Sequence, residues 1–167
     1  HLFSSAASDV YKRQALAKLR RAEANMMLTN WEAAKDDLEV IIEDAPHHHH
    51  ALTQLAACYI SMDRPEKAEA PLNEALRLAP DHTDAWHQRG LLYLDWGREE
   101  AALNDFEAAV RCDGSHLDAR LHIAAIHHEA KRFVEASGAW KGVLAIEPDH
   151  AVARRRKEEC EMAIATM

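Results

Sequence analysis

The chain alternates apolar and polar positions with the period of an α-helix. Leu52, Leu55 and Tyr59 recur at steps of three and four residues, which places them on one face of a helix. The same spacing resumes at Ala68 and Leu72, after a polar stretch that contains a proline. This pattern predicts two short amphipathic helices joined by a turn.

The two-helix unit recurs at a constant interval along the chain. This repeat interval is the separation between Pro46 and Pro80, and Pro148 follows after twice the same separation. Four rows result, covering 15–48, 49–82, 83–116 and 117–150. Equivalent positions of the rows hold similar residues: Ala17, Ala51, Ala85 and Ala119; Ala34, Ala68, Ala102 and Ala136; Ala22, Ala56, Gly90 and Ala124; and Leu38, Leu72, Phe106 and Trp140. Since one helix pair cannot bury its apolar face alone, we expect the rows to stack on one another.

The third row resembles the signature of the tetratricopeptide repeat family at Trp86, Gly90, Tyr93, Ala102, Phe106 and Ala109. The second row keeps most of these positions and the fourth is looser. The first is least similar, with Lys18, Arg21 and Asn25 in slots that are apolar or aromatic in the family. The resemblance covers 15–150. It implies an all-α fold, a right-handed superhelical solenoid of antiparallel helix pairs with four repeats.

We expect the repeat domain to span 15–167, with two local features in addition to the repeats. Residues 149–165 are predicted to form a C-terminal capping helix, with Asp149 as its N-cap. Pro71 falls inside the predicted second helix of its row, where proline removes a backbone hydrogen bond, so we expect a kink there.

Residues 1–14 need another interpretation. Ser4 to Gln14 match, codon by codon, the in-frame translation of a transposase-type sequencing adapter, as in a fragment assembled from metagenomic reads. We therefore expect 1–14 to be non-native, either disordered or in only incidental contact with the rest of the chain, and the true N-terminus to be missing. On this interpretation the compartment is unknown, with the cytoplasm favoured.

Charge and composition narrow the possible functions. The net charge of −8 opposes binding to nucleic acid, whose phosphates require clustered positive charge. No apolar run approaches the roughly 20 residues of a membrane-spanning helix. The three cysteines lie far apart without zinc-ligand spacing, so we expect reduced thiols.

The twelve histidines are the main candidates for chemistry. His47–His50 form a run at a turn between rows, and His48, His82, His116 and His150 share one repeat position. We interpret that position as part of a turn that stops one helix and starts the next. Neither a metal-binding geometry nor a phosphate loop or nucleophile motif is recognisable, so the sequence predicts no enzyme, catalytic residue, cofactor or metal.

In the family that the sequence resembles, ligands lie in a concave groove lined by the first helix of each pair. The resemblance therefore implies a protein or peptide partner, bound at the non-packing positions of those helices: His50, Gln54, Asp84, His87, Gln88, Leu91, Asp95, Asp118, Leu121, His122, His128 and Glu129. Their acids, with Glu23, outnumber the basic Arg20 and predict a negative groove and a basic partner. The alternative is that these charges only solvate the surface. The positions of the family's chaperone carboxylate clamp lack the necessary cations, so that activity is not expected.

Two functions remain open. The first is a protein–protein interaction scaffold that binds a partner segment in its groove. The alternative is a regulatory or substrate-docking arm of a larger, truncated enzyme, such as a glycosyltransferase or sulfotransferase, since repeats of this family are often fused to such domains. The complete open reading frame would distinguish the two.

Overall fold

The structure, a computed structural model, describes the backbone of residues 2–167 and the side chains of residue 10 and residues 13–167. Residues 2–167 form nine α-helices and no β-strand. The helices are α1 (Leu2–Met27), α2 (Trp31–Asp44), α3 (His49–Ser61), α4 (Glu69–Leu78), α5 (Thr83–Asp95), α6 (Glu99–Cys112), α7 (Leu117–Glu129), α8 (Phe133–Ile146) and α9 (Ala151–Ala165). The chain divides into two compact units, one ending at Pro80 and one covering Asp81–Met167.

In the first unit, α1 packs against α2, α2 against α3 and α3 against α4. The core is formed where small side chains meet large ones: Ala22 and Ala34 are fully buried beside Leu38, Ile41 and Cys58. Small residues let the helix backbones approach closely, and the larger side chains fill the remaining space.

The second unit has two core clusters. In one, Phe106 of α6 packs with Ala102 and Ile126; in the other, Trp140 of α8 packs with Cys160 of α9. Gly90 of α5 is required here, because a Cβ at this position would lie 2.7 Å from the Phe106 ring. An aromatic ring in this position thus depends on a glycine in the facing helix.

One alanine column is buried in every row, as expected for positions where helices approach closely. All four members, Ala34, Ala68, Ala102 and Ala136, are fully buried. The other alanine column differs at its first member, because Ala17 is exposed while Ala51, Ala85 and Ala119 are fully buried. The first row is thus the one that departs from the pattern.

Arginine occupies one of the apolar slots in the first and third rows, and the structure shows why it is tolerated. Arg21 donates to both carboxylate oxygens of Asp37, one of them at 2.7 Å. Arg89 makes the same two-pronged contact with Asp105, with both hydrogen bonds at 2.8 Å. Both carboxylates are buried, so each depends on its arginine for charge compensation.

The four turns inside the helix pairs share one backbone conformation. Thr29, Asp63, Gly97 and Lys131 all have φ between 57° and 69°, in the left-handed region. Around Lys131, the Arg132 N–H donates to the His127 carbonyl and the Lys131 N–H to the His128 carbonyl, at 2.9 and 3.0 Å. This is the Schellman arrangement, which favours glycine. The other three turns repeat both hydrogen bonds.

Three first helices and α9 begin one repeat interval apart, and histidine precedes each. The Nδ1 atoms of His48, His116 and His150 accept hydrogen bonds from the backbone N–H three residues later, at 3.2 Å. The prediction of Asp149 as the N-cap of the last helix is wrong, since His150 fills that role. Because an imidazole accepts only through a deprotonated nitrogen, these caps require neutral histidine.

The prediction that Pro71 lies in the interior of a helix is wrong for a local reason. A 3-10 turn at Pro65–Lys67 delays the start of α4 to Glu69, so Pro71 lies in the first turn of that helix. Backbone N–H groups in a first turn have no partner within the helix, and proline lacks only that group. The consequence is a shorter helix, with 10 residues in α4 against 14 in α2, α6 and α8.

Of the two expectations for 1–14, disorder does not agree with the backbone, in which α1 begins at Leu2 and continues to Met27. The side chains of residues 2–9, 11 and 12, and the whole of residue 1, lie outside the described residues.

Candidate partner-binding face

In the first unit, the predicted groove residues form a small hydrogen-bonded group. The Gln54 side-chain amide donates to Glu23 Oε1 at 3.3 Å and lies 3.0 Å from His50 Nε2. His50 Nε2 is also 3.7 Å from the Glu23 carboxylate. The carbonyl oxygen of Gln54, Oε1, is buried and has no hydrogen-bond partner among the described residues.

In the second unit, α5 presents Asp84, Gln88, Leu91 and Asp95 at or near the surface. Asp84, Leu91 and Asp95 are exposed, and Gln88 is half-buried. Gln88 lies one repeat after Gln54, and its Oε1 atom is likewise buried without a hydrogen-bond partner in the described part of the chain. A buried acceptor without a partner is costly, at about 1–3 kcal/mol, so the recurrence of this feature at equivalent positions calls for an explanation.

Histidines from α5, α7 and the turn before α7 meet beside Phe106. The ring of His122 stacks on Phe106 with centroids 4.7 Å apart and planes at 14°. The centroid of the His87 ring lies 4.7 Å from that of His116 and 5.7 Å from that of His122. Sequence order alone had placed His87 and His122 on the face without showing this cluster.

Within this cluster, the surroundings of His87 and His122 favour neutral imidazole. Burial lowers the pKa of His87, and the neighbouring His116 and His122 lower it further, against the opposing effect of Asp118 and Asp84. Burial also lowers the pKa of His122, and Asp118 again opposes it. Both rings therefore gain charge at lower pH than an unperturbed histidine, whose pKa is roughly 6.5.

Towards the end of α7, the predicted groove residues lie in different surroundings. Leu121 is half-buried and packs against the core cluster that contains Trp140. His128 faces α9, where its Nε2 lies 3.1 Å from Arg156 Nη1 and its Nδ1 lies 3.3 Å from Cys160 Sγ. Glu129 is exposed at the end of the helix.

The pairing of His128 with Cys160 invites comparison with a thiol–imidazole catalytic pair. Cys160 is fully buried, and burial raises the pKa of its thiol. A reactive cysteine requires an accessible thiolate. Since Cys160 has neither access nor a lowered pKa, this pair serves packing.

The sequence-based groove omits α9, although α9 lines a cleft together with two of the predicted groove residues, His128 and Glu129. Val152 and Arg156 of α9 line a cleft together with Ala125, His128, Glu129 and Trp140. The signal was present in the sequence: Ala153 and Cys160 are one repeat after the buried Ala119 and Ile126, so α9 continues the register of the first helices.

The charges on the face of the second unit are unevenly distributed. Asp84, Asp95, Asp118 and Glu129 are exposed and form no ion pair with Lys or Arg among the described residues. On α9, Arg155 and Arg156 share the carboxylate of Glu159, at 2.8 and 3.1 Å. The face is thus acidic along α5 and α7 and has an excess of one positive charge in this α9 group.

Within the part of the chain that the structure describes, no three His, Cys, Asp or Glu side chains come together as metal ligands. None of the described helices combines the length and the hydropathy required to cross a membrane.

Family models place the repeat in a known group. Two models described as tetratricopeptide repeat match, one over residues 55–121 and one over residues 16–48. No curated protein matches the sequence.

Solved structures share the fold at low sequence identity. A structure of the MamA protein superposes with a TM-score of 0.80 at 14% identity, covering 92% of this chain and 84% of that one. YrrB, described as a tetratricopeptide repeat protein with an unusual peptide-binding site, gives a TM-score of 0.71 at 22% identity over 86% of this chain and 74% of its own. The first tetratricopeptide repeat domain of Spaghetti (RPAP3), bound to the HSP90 peptide SRMEEVD, gives 0.67 at 19% identity over 71% of this chain and 94% of its own. These likenesses confirm the all-α helical-repeat class.

Proposed function

The chain belongs to the tetratricopeptide repeat family, and from that premise we propose that it is a protein-interaction scaffold whose first helices bind an extended segment of a partner protein. Two structurally similar proteins, YrrB and the Spaghetti domain, are described with a peptide-binding site or a bound peptide. Nothing in the described residues favours the alternative of an arm of a larger enzyme.

The main support for this proposal is a hydrogen-bond acceptor that lacks a partner at equivalent positions of two first helices. Gln54 Oε1 and Gln88 Oε1 occupy equivalent positions on first helices, and both are buried without a hydrogen-bond donor among the described residues. The backbone N–H groups of an extended segment are donors that any sequence supplies. In each unit, a first helix that keeps such an acceptor at a cost in stability would recover that cost when a partner segment supplies a donor.

The charge of the second unit's face supports a basic partner. Asp84 and Asp118 are exposed, and neither forms an ion pair with Lys or Arg in the described structure. Lys or Arg residues in the bound segment would complement them, which mainly raises the association rate and selects among partners. Added salt would weaken this contribution.

The test begins with a peptide library selected against the purified chain. Gln88→Met retains the size of the side chain and removes the acceptor, so we expect selected peptides to bind several-fold more weakly while the chain unfolds at an equal or higher urea concentration. Loss of a buried unpartnered acceptor explains both results together. Unchanged affinity in Gln88→Met would refute the role of the acceptor.

A matched pair of double variants tests the charge. We expect Asp84→Asn with Asp118→Asn to weaken basic peptides several-fold. Glu99→Gln with Glu107→Gln makes the same change in net charge on exposed positions of α6 and should have little effect. Equal effects from the two double variants would mean that only the overall charge matters, and the assignment to this face would fail.

A further inference from the structure

The cleft between α7, α8 and α9 in the second unit is a candidate subsite of its own. It measures about 230 Å³ and is lined by Ala125, His128, Glu129, Trp140, Val152 and Arg156. An apolar cavity of about 150 Å³ holds a benzene-sized group, so this cleft has room for one Leu, Met or Phe side chain. Val152 is 56% exposed, an apolar wall without a covering residue.

The polar groups of the cleft carry opposite charges on its two sides. Glu129 belongs to the end of α7 and has no ion-pair partner among the described residues. Arg156 belongs to α9 and uses only its Nη1 atom in hydrogen bonds, to Glu159 at 3.1 Å and beside His128 at 3.1 Å. Its remaining N–H groups have no acceptor in the described part of the chain.

Trp140 adds a second unmet donor. The residue is only 4% exposed, and its indole N–H is buried without a hydrogen-bond acceptor among the described residues. Buried indole N–H groups usually find a partner. The lining of the cleft thus combines apolar surface with the unpaired carboxylate of Glu129 and with donors of Arg156 and Trp140 that have no acceptor among the described residues. A peptide main chain that carries an apolar side chain could satisfy all three kinds of group.

We propose that this cleft binds an apolar anchor residue, Leu, Met or Phe, of the partner segment, with its peptide carbonyl facing Arg156 and Trp140 and its N–H facing Glu129. The proposal rests on the proposed function and adds its chemical preference. It also gives α9 a role in recognition, in addition to covering the end of the repeat.

The position of His128 fits this role. Arg156 can only donate, so Nε2 of His128 must accept and its proton resides on Nδ1, which faces Cys160 Sγ at 3.3 Å. The imidazole is therefore held from both sides, and it fixes the guanidinium of Arg156 at the edge of the cleft.

The experiment follows the indole N–H of Trp140 in ¹H–¹⁵N spectra, with its resonance assigned through Trp140→Phe. The probe is N-acetyl-leucinamide, which carries one apolar side chain between two peptide groups. We expect a saturable shift with a dissociation constant on the order of 1 mM, as the limits on ligand efficiency imply for so small a molecule. N-acetyl-serinamide should give no saturable shift.

Val152→Asp should weaken the probe at least tenfold. It should fold normally, because the position is exposed in the first turn of α9, where an acidic residue is favourable. Val134→Asp is the matched control, since Val134 is 67% exposed and lies outside the cleft. A shift that survives Val152→Asp, or no saturable shift with the leucine probe, would overturn the proposal.

Sodium acetate at equal ionic strength completes the test. A shift from acetate as large as that from N-acetyl-leucinamide would identify an anion site and overturn the apolar anchor. The outcomes remain separable from those of the proposed function. If Gln88→Met weakens the binding of library peptides and Val152→Asp does not, the scaffold role stands and the cleft alone is refuted.

Discussion

Replacing Lys131 by glycine should stabilise the chain, although the substitution removes an entire side chain. Lys131 has φ of 57°, and its side chain makes no hydrogen bond or ion pair within the described residues. A left-handed conformation costs an L-residue roughly 1–2 kcal/mol, and the extra freedom of glycine in the unfolded chain removes roughly 0.5–1 kcal/mol of the gain. The net stabilisation should be about 0.5–1 kcal/mol.

The measurement is the midpoint of urea unfolding at constant m-value. With m of about 2 kcal/mol/M, the midpoint should rise by about 0.3–0.5 M. Thr29→Gly should gain at least as much, because Thr29 is β-branched and has φ of 58°.

Two glycines of the second unit provide the controls. Gly97 occupies the equivalent turn with φ of 69°, so Gly97→Ala should destabilise by about 1 kcal/mol. Gly138 is exposed within α8, where an added Cβ meets open space, so Gly138→Ala should instead stabilise by about 0.5–1 kcal/mol. If Lys131→Gly lowers the midpoint while Gly97→Ala leaves it unchanged, the conformational reasoning is refuted.

Three further predictions concern packing, pH and the N-terminus. Ala102→Leu should cost roughly 1–3 kcal/mol through overpacking, because Ala102 is fully buried, whereas Ala145→Leu at an exposed helical position should change the urea midpoint little. The folded-state pKa values of His48 and His87 lie below the ordinary value, with burial as the largest cause. Their contribution to stability is thus present above roughly pH 6.5 and lost as the pH falls through the folded pKa. His48→Asn should retain a helix cap and reduce the pH dependence of the unfolding free energy. An equally strong pH dependence in this variant would contradict the reasoning. We propose that 1–14 are translated adapter, so their deletion should leave the melting temperature unchanged, and a loss above roughly 1 kcal/mol would contradict that origin.

The sequence by itself determined the fold class, because the fold depends on a regular pattern. The steps of three and four residues require helices, and the constant repeat interval requires pairs of them. The columns also located the core: the alanines at 34, 68, 102 and 136 are buried without exception, since small side chains are needed wherever two helix backbones approach.

The tertiary structure decided what depends on backbone conformation and on contacts between helices. The first-turn position of Pro71 depends on the 3-10 turn before α4, and the cap at His150 depends on the backbone angles at that residue, so neither follows from residue type. The cleft beside Trp140 required the packing of three helices. The pattern shows which side of a helix is apolar, but only the packed structure shows which polar atoms are left without a partner.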